Sequence, residues 1–159
     1  MDYANIIELG RRLLMKRKTA EDIVNSFNNQ KFMKFLNAEV SVKEPGKCQI
    51  SIQQGENLTQ QHGLFHGGVI STLADNSAAF AATSLMEKNR EPLTIECKVN
   101  FIDIADGETL WADGEVLSVG KRIFHAESKV YTSVAGTVKL CAVALVTIKS
   151  TLRVAELSP

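Results

Sequence analysis

Apolar residues in the first part of the chain recur at helical spacing. They return every three or four positions over residues 4–17, which predicts an amphipathic helix. A second short helix is expected to follow, with Thr19 as its N-cap and Asp22 as the acid three residues later. We therefore interpret residues 1–36 as a helical N-terminal prefix.

Beyond the prefix the apolar pattern changes to a period of two, which is typical of strands. Cys48, Ile50 and Ile52 alternate with polar residues after a Pro45-Gly46 turn, which predicts a first hairpin. Four further strands are predicted over residues 93–102, 108–119, 122–132 and 137–149. One face of the first of these is expected to carry Ile95, Cys97, Val99 and Phe101. Because short turns separate the strands, we expect consecutive strands to pair as an antiparallel meander.

Between the hairpin and the later strands, residues 66–86 are apolar on nearly every side. A helix with this pattern is buried by its surroundings, and its many Ala and Ser residues let a sheet approach closely. The predicted architecture is α+β, with a curved antiparallel sheet of about six strands wrapped around a long central helix. This is the hotdog fold. We assign residues 37–150 to that domain and residues 151–159 to a C-terminal tail.

Composition restricts the classes of function. The chain has 159 residues, equal numbers of acidic and basic side chains, and 45% apolar residues, which fits one globular domain without a field that attracts nucleic acid. Its three cysteines form no CxxC pair, so we expect free thiols in a reducing compartment. The N-terminus lacks the order of a signal peptide, and the longest apolar run, 141–148, is too short to cross a bilayer. We expect a cytoplasmic protein that binds a small molecule, with no stable membrane insertion.

Asp75 is the lone carboxylate of the apolar central segment. Such an acid is exposed, paired for structural reasons or used in a reaction. Gly67 and Gly68, at the start of the segment, favour a reaction, because glycine weakens a helix and a pair at its start indicates close approach of a ligand. The Gly67 N–H, aided by the helix dipole, can polarise a carbonyl oxygen that becomes negative during attack.

The spacing of these two residues predicts an oligomer. Gly67 and Asp75 are eight positions apart, so they lie ~12 Å apart along a helix axis. One helix cannot aim both groups at one carbonyl. Two antiparallel helices in a symmetric dimer can, each offering its N-terminus to the partner's Asp75, which creates two equivalent shared sites.

A specific resemblance appears at these residues. The run Gln60-x-x-Gly63-x-x-His66-Gly67-Gly68, Asp75 nine residues after the histidine, and the later pattern of residues 94–101 resemble the acyl-CoA thioesterases of the hotdog superfamily. Within that superfamily the chain is most similar to the phenylacetate-degradation (PaaI-like) group. The likeness covers residues 36–149. It implies a homodimer, commonly paired into a homotetramer, that hydrolyses a fatty or aryl acyl-CoA without a metal or redox cofactor.

The resemblance also implies a role for each motif residue. Gly67 would polarise the thioester carbonyl, and Asp75 from the partner chain would attack it or activate water. Thr94 would position that water or support the acid, while His66 and Gln60 would complete the pocket. PaaI-like enzymes often carry Asn in place of Gln60, whereas related hydroxybenzoyl-CoA thioesterases combine Gln with Glu in place of Asp75. This mixed pattern leaves the nucleophile and general-base roles both open.

Substrate contacts are predicted in two places. Gly68 is predicted to bind the substrate. The acyl group is expected to contact the apolar side chains of Leu64, Phe65, Phe80, Ala81, Leu85 and Met86. This set favours an aliphatic or aryl acyl group over a charged one. Lys121 and Arg122, which follow Gly120 at a strand connection, form either a grip for the phosphates of CoA or a solvated turn; Arg90 is a further candidate.

Other functions remain as alternatives. A non-catalytic acyl-CoA binding or sensing module on the same fold is the main one, and a hotdog hydratase or dehydratase is disfavoured because the histidine motifs of those families are absent. Three scattered histidines and no suitable cysteine spacing argue against a metal site. The basic cluster of the prefix is interpreted as a solvated face and not as a nucleic-acid site. Its members are Arg11, Arg12, Lys16, Arg17 and Lys18.

Overall fold

The computed structural model describes residues 17–152 and begins with two short helices. Helix α1 spans Ala20–Asn28 and helix α2 spans Lys31–Phe35. The helix predicted over residues 4–17 falls outside the described residues except for its last position. None of the helices within 17–152 is long and apolar enough to cross a membrane.

The predicted start of α1 is confirmed. The Thr19 hydroxyl accepts a hydrogen bond from the Asp22 N–H at 3.1 Å, and the Asp22 carboxylate accepts one from the Thr19 N–H at 2.8 Å. This reciprocal capping box satisfies two amides that the helix itself leaves without acceptors. Ile23 and Phe27 then bury the inner side of α1.

A single six-stranded antiparallel sheet and one long helix make up the rest of the described chain. The strands are β1 (Glu39–Glu44), β2 (Lys47–Gln53), β3 (Arg90–Phe101), β4 (Thr109–Val119), β5 (Ile123–Val134) and β6 (Thr137–Leu152). A 3-10 turn at Glu56–Leu58 and helix α3, Gly67–Thr83, lie between β2 and β3. The predicted α+β architecture, the hotdog fold, is confirmed.

The predicted meander is wrong at β3. The strand order is β1-β2-β4-β5-β6-β3, so β3 pairs with β6, and β4 pairs with β2. The link over residues 102–108 crosses the end of the sheet instead of making a hairpin. Seven extended residues span up to ~24 Å, and three strand spacings amount to only ~14 Å. A short link therefore does not require its two strands to be neighbours.

Helix α3 lies inside the curve of the sheet and packs against β2 to β6. Its buried Ser77 hydroxyl is 2.8 Å from the Ser128 hydroxyl of β5. Gly114 of β4 lies so close to α3 that a Cβ added there would overlap the Ser77 carbonyl and the Ala78 nitrogen. Because backbone atoms cannot rotate away, this contact requires glycine.

Gly114→Ala is therefore expected to destabilise the fold by ~1–3 kcal/mol, the usual cost of overpacking a core. Urea denaturation should show a lower midpoint for this variant. Gly55→Ala is the matched control, because its Cβ would meet only the Leu58 side chain, at 3.8 Å. Equal midpoints for the two variants would contradict the close approach of β4 to α3.

Candidate active site

The N-terminus of α3 is organised by His66. Its Nδ1 accepts a hydrogen bond from the Gly68 N–H at 2.9 Å, and its backbone carbonyl accepts from the Val69 N–H. Since Nδ1 accepts, the proton of the neutral imidazole lies on Nε2, which is left as a donor. A Cβ on Gly68 would lie 3.0 Å from Nδ1, so glycine at this position allows the cap to close.

The His66 cap binds the Gly68 N–H and not the Gly67 N–H. Gly67 is the first residue of α3, and the first amides of a helix have no intrahelical acceptor. Within the described part of the chain, no other acceptor takes this hydrogen. The Phe101 ring lies 3.4 Å from where a Gly67 Cβ would stand. A donor at the positive end of the helix dipole, next to an aromatic ring, is suited to bind a carbonyl oxygen.

Gln60 orders the loop that leads into α3. Its side-chain oxygen accepts a hydrogen bond from the His62 N–H at 2.6 Å, and its backbone N–H donates to the Leu64 carbonyl at 2.8 Å. Gly63 completes the turn with a φ of 78°, a conformation that favours glycine. In the described protomer Gln60 therefore supports the loop beside Gly67.

Asp75 lies further along α3 and meets Thr94 of β3. The Thr94 hydroxyl donates to the Asp75 carboxylate at 2.7 Å. Burial raises the pKa of Asp75 above that of an ordinary aspartate, and the Thr94 hydrogen bond opposes this rise. The charge of Asp75 in turn helps burial to raise the pKa of the Cys97 thiol. The structure thus brings Asp75, Thr94 and Cys97 together.

A β-bulge makes the contact with Thr94 possible. Thr94 pairs with Ile148 and Glu96 with Thr147, so Ile95 is the extra residue. Cys97, two positions after the bulge, pairs with buried Val146. Strict alternation would put Thr94 and Cys97 on opposite faces, but the bulge brings them to the same inner face. The predicted shared face was therefore wrong in including Ile95 and in omitting Thr94.

An open groove of about 580 Å³ runs past Asp75. Its lining residues belong to α3, β3 and α2, and none of them is cationic. They are Phe32, Ser71, Thr72, Asp75, Asn76, Cys97 and Val99. The sequence interpretation missed Phe32. The available signal was the pattern Lys31-Phe32-Met33-Lys34-Phe35, in which aromatic residues stand among lysines.

None of the apolar residues that were predicted to contact the acyl group lines the groove beside Asp75. Phe65 is 3% exposed and Phe80 is 2% exposed, and the Phe80 ring packs edge-on against Phe27. Ala81 and Met86 are buried as well, while Leu64 is half-buried in the loop before α3. This burial favours a packing role for these side chains, apart from Leu64.

The predicted basic residues converge on a second groove, of about 350 Å³, at the β4–β5 turn. Lys121 and Arg122 line it together with Arg90 and Leu85. Arg90 is fixed there because its guanidinium donates to the Ser150 hydroxyl and carbonyl, at 2.7 and 2.8 Å. Three cations from two strand ends thus share one concave surface.

The chain by itself does not unite the two halves of the site. Gly67 and Asp75 belong to one continuous helix, so the separation of ~12 Å along its axis holds. Gly67 lies near His66, Gly68 and Phe101. Asp75 lies near Thr94 and Cys97. Among residues 17–152 no cluster of three or more His, Cys, Asp or Glu side chains is arranged to hold a metal ion.

Comparison with known proteins finds one family. The model of the thioesterase superfamily matches residues 62–139. A thioesterase family protein from Silicibacter pomeroyi is 33% identical, with a TM-score of 0.80 over 82% of this chain and 96% of its own. The PaaI protein from the phenylacetic acid degradation operon of E. coli shares the fold, with 19% identity and a TM-score of 0.71 over 80% of this chain and 88% of its own. A 1,4-dihydroxy-2-naphthoyl-CoA hydrolase from Listeria monocytogenes is 26% identical over 54% of this chain and 70% of its own length.

Proposed function

This chain belongs to the thioesterase superfamily, and from that premise we propose that it hydrolyses the thioester of an acyl-CoA to a free acid and CoA. The observation that carries the proposal is the pair of Asp75 and Thr94, a half-buried carboxylate held by one hydroxyl in the lining of an open groove. Burying an acid is costly, and a module that only binds a thioester has no need of one. The naphthoyl-CoA hydrolase among the relatives supports a CoA thioester as substrate.

The proposed chemistry uses both halves of the site. The Gly67 N–H stabilises the carbonyl oxygen as it becomes negative. In one route, Asp75 takes a proton from water, the water oxygen bonds to the carbonyl carbon, the C–S bond breaks, and the CoA thiolate leaves and receives that proton. In the other, the Asp75 carboxylate attacks the carbonyl carbon, the C–S bond breaks and the CoA thiolate leaves, which gives a mixed anhydride. Water then hydrolyses the anhydride to the free acid and the Asp75 carboxylate, and the thiolate receives the proton that the water loses. The Nε2–H of His66 and the amide of Gln60 are donors for the leaving group and the carbonyl.

We propose that two protomers complete each site. The separation of Gly67 from Asp75 along one helix requires the second group to come from another copy. The inner face of β3 supports this, because Phe101 pairs with buried Ala142 yet is 57% exposed. A large apolar side chain on an uncovered inner face is suited to a homodimer contact, and pairing of dimers into a tetramer is the expected assembly.

The phosphates of CoA are proposed to bind at the groove of Arg90, Lys121 and Arg122. Guanidinium and ammonium groups form strong charge-assisted hydrogen bonds with phosphate. Arg90 is already held in place by Ser150, so less side-chain freedom is lost on binding. The proposed compartment is the cytoplasm, because Cys48, Cys97 and Cys141 are all free thiols.

The direct test is release of CoA thiol from a panel of acyl-CoAs, from acetyl to palmitoyl with benzoyl and phenylacetyl, followed with a thiol-reactive chromogen. Thiol release that depends on protein concentration is expected. Binding of acyl-CoA without thiol release would favour the binding module. Formation of a hydroxyacyl-CoA from an enoyl-CoA, with the thioester intact, would favour a hydratase.

The pH dependence of kcat should report the Thr94 contact. Asp75 acts as the carboxylate, so kcat is expected to fall as the pH drops through its raised pKa. Thr94→Val removes the hydrogen bond that lowers this pKa, so the acid limb should move to higher pH. Thr94→Ser keeps a hydroxyl and should leave the limb near its wild-type position. Identical profiles for the valine and serine variants would argue against the contact.

A further inference from the structure

The groove beside Asp75 is lined by polar side chains of α3 and by apolar side chains of two other elements. Ser71, Thr72 and Asn76 flank Asp75 on α3. The apolar side chains are Cys97 and Val99 on the inner face of β3 and Phe32 of α2. A thioester has the same division, because its carbonyl is polar and its acyl chain is apolar. The reacting carbonyl belongs beside Asp75, which leaves the apolar side chains for the acyl chain.

Phe32 lies on a helix that is anchored in the core, although its own side chain is largely exposed. Its neighbour Met33 is 2% exposed and Leu36 is 4% exposed, so both anchor α2 in the core. The Ala38 N–H donates to the Met33 carbonyl at 3.0 Å and fixes the end of the helix. Phe32 itself is 55% exposed, which is costly for a side chain of this size unless something covers it. An aromatic side chain on an anchored helix suits the recognition of an apolar group.

We propose that Phe32, which lines the groove together with Cys97 and Val99, binds the acyl chain and sets the preference for medium-chain or aryl acyl groups. This proposal rests on the thioesterase function proposed above and adds the helical prefix to the substrate site. With Asp75 as the only charged residue in its lining, the groove disfavours acyl groups that end in a carboxylate.

Phe32→Ala is the main test, with Phe35→Ala as the matched control. Phe35 is on the same helix and is 67% exposed, but it does not line the groove. The ratio of kcat/KM for octanoyl-CoA to that for acetyl-CoA is expected to fall about tenfold in Phe32→Ala, since losing an apolar contact costs tenfold or more in discrimination. The same fall is expected for phenylacetyl-CoA. Phe32→Leu, which keeps an apolar wall, should restore most of the ratio, and Phe35→Ala should leave it unchanged.

A second variant changes Val99 of β3, which also lines the groove. Val99→Phe narrows the groove and should lower kcat/KM for octanoyl-CoA more than kcat/KM for acetyl-CoA. An unchanged ratio in Phe32→Ala, or an equal change in Phe35→Ala, would overturn the proposal. Circular dichroism and melting temperature confirm that each variant folds.

Binding measurements separate this proposal from the proposed reaction. S-octyl-CoA and S-ethyl-CoA are thioethers that cannot be hydrolysed, and their Kd values are measured by calorimetry. Phe32→Ala should weaken S-octyl-CoA about tenfold more than it weakens S-ethyl-CoA. If the wild type cleaves no acyl-CoA but this binding difference appears, the proposed hydrolysis is wrong and the role of Phe32 in binding the acyl chain is supported. If thioesters are cleaved and the difference is absent in both assays, only the role of Phe32 is wrong.

Discussion

Replacing Asp75 with Asn is expected to lower kcat for acyl-CoA hydrolysis by roughly 10²–10⁴-fold, the range that a positioned general base contributes. The amide keeps the size of the side chain, and its oxygen can still accept the hydrogen bond that the Thr94 hydroxyl now donates to Asp75. What it loses is the negative charge that attacks the carbonyl or takes the proton from water. Thiol release at saturating substrate measures the effect, and unchanged release would remove Asp75 from the mechanism.

The stability of the same variant serves as its control. The pKa of Asp75 is raised by burial, so the folded state favours the neutral acid, and the ionised form costs stability at every pH above the folded-state pKa. Asp75→Asn removes that cost. The variant should therefore melt at neutral pH no lower than the wild type. A large drop in melting temperature would mean that lost activity reflects unfolding.

Gly67→Pro is expected to lower kcat by roughly 10²–10³-fold, the usual effect of losing one oxyanion donor. Proline at the first position of a helix is well tolerated, and it removes only an N–H that the helix does not use. The preceding residue, His66, has a ψ of 138°, which is compatible with a following proline. Gly67→Ala is the matched control, because it adds the same Cβ beside Phe101 but keeps the N–H. Equal losses in the two variants would point to steric blockage instead of a missing donor.

These two inactive variants also test the shared site. A hybrid dimer of one Asp75→Asn chain and one Gly67→Pro chain contains one complete site if Gly67 and Asp75 meet across the interface. It should recover about half of the wild-type activity, since one of two equivalent sites is intact. Hybrids can be isolated by carrying a different affinity tag on each chain. If both groups act within one protomer, neither site of the hybrid is complete and no activity returns.

Much of the fold could be predicted because its signals are local. The Thr19 cap, the hairpin of β1 and β2 and the long buried α3 each depend on residues within a few positions of one another. The order of the strands could not be predicted in this way. A link of seven residues is compatible with a hairpin or with a crossing, and hydrogen bonds such as that from the Ile102 N–H to the Cys141 carbonyl decide between them.

The candidate site also contains residues that local spacing predicts and contacts that it does not predict. The histidine and glycines at the start of α3, and Asp75 along it, follow from the sequence because the helix fixes their spacing. The contact of Asp75 with Thr94 joins two elements and depends on a bulge at Ile95 that alternation does not predict. The position of Phe32 in the groove lining was not predicted, because Phe32 is far from β3 in the chain and reaches the groove only through the packing of α2.

The sequence by itself determined most of the strand segments, the capped start of α1, the buried central helix, the amide at its N-terminus and the separation of Gly67 from Asp75 on which the proposed second protomer rests. These follow from periods and spacings within single segments, where backbone geometry alone places the residues. Only the tertiary structure decided that β3 lies at the sheet edge beside β6, that Phe65 and Phe80 are buried in the core, and that Thr94 and Phe32 meet the groove of Asp75. These depend on contacts between distant segments, which are selected by the packing of the whole chain.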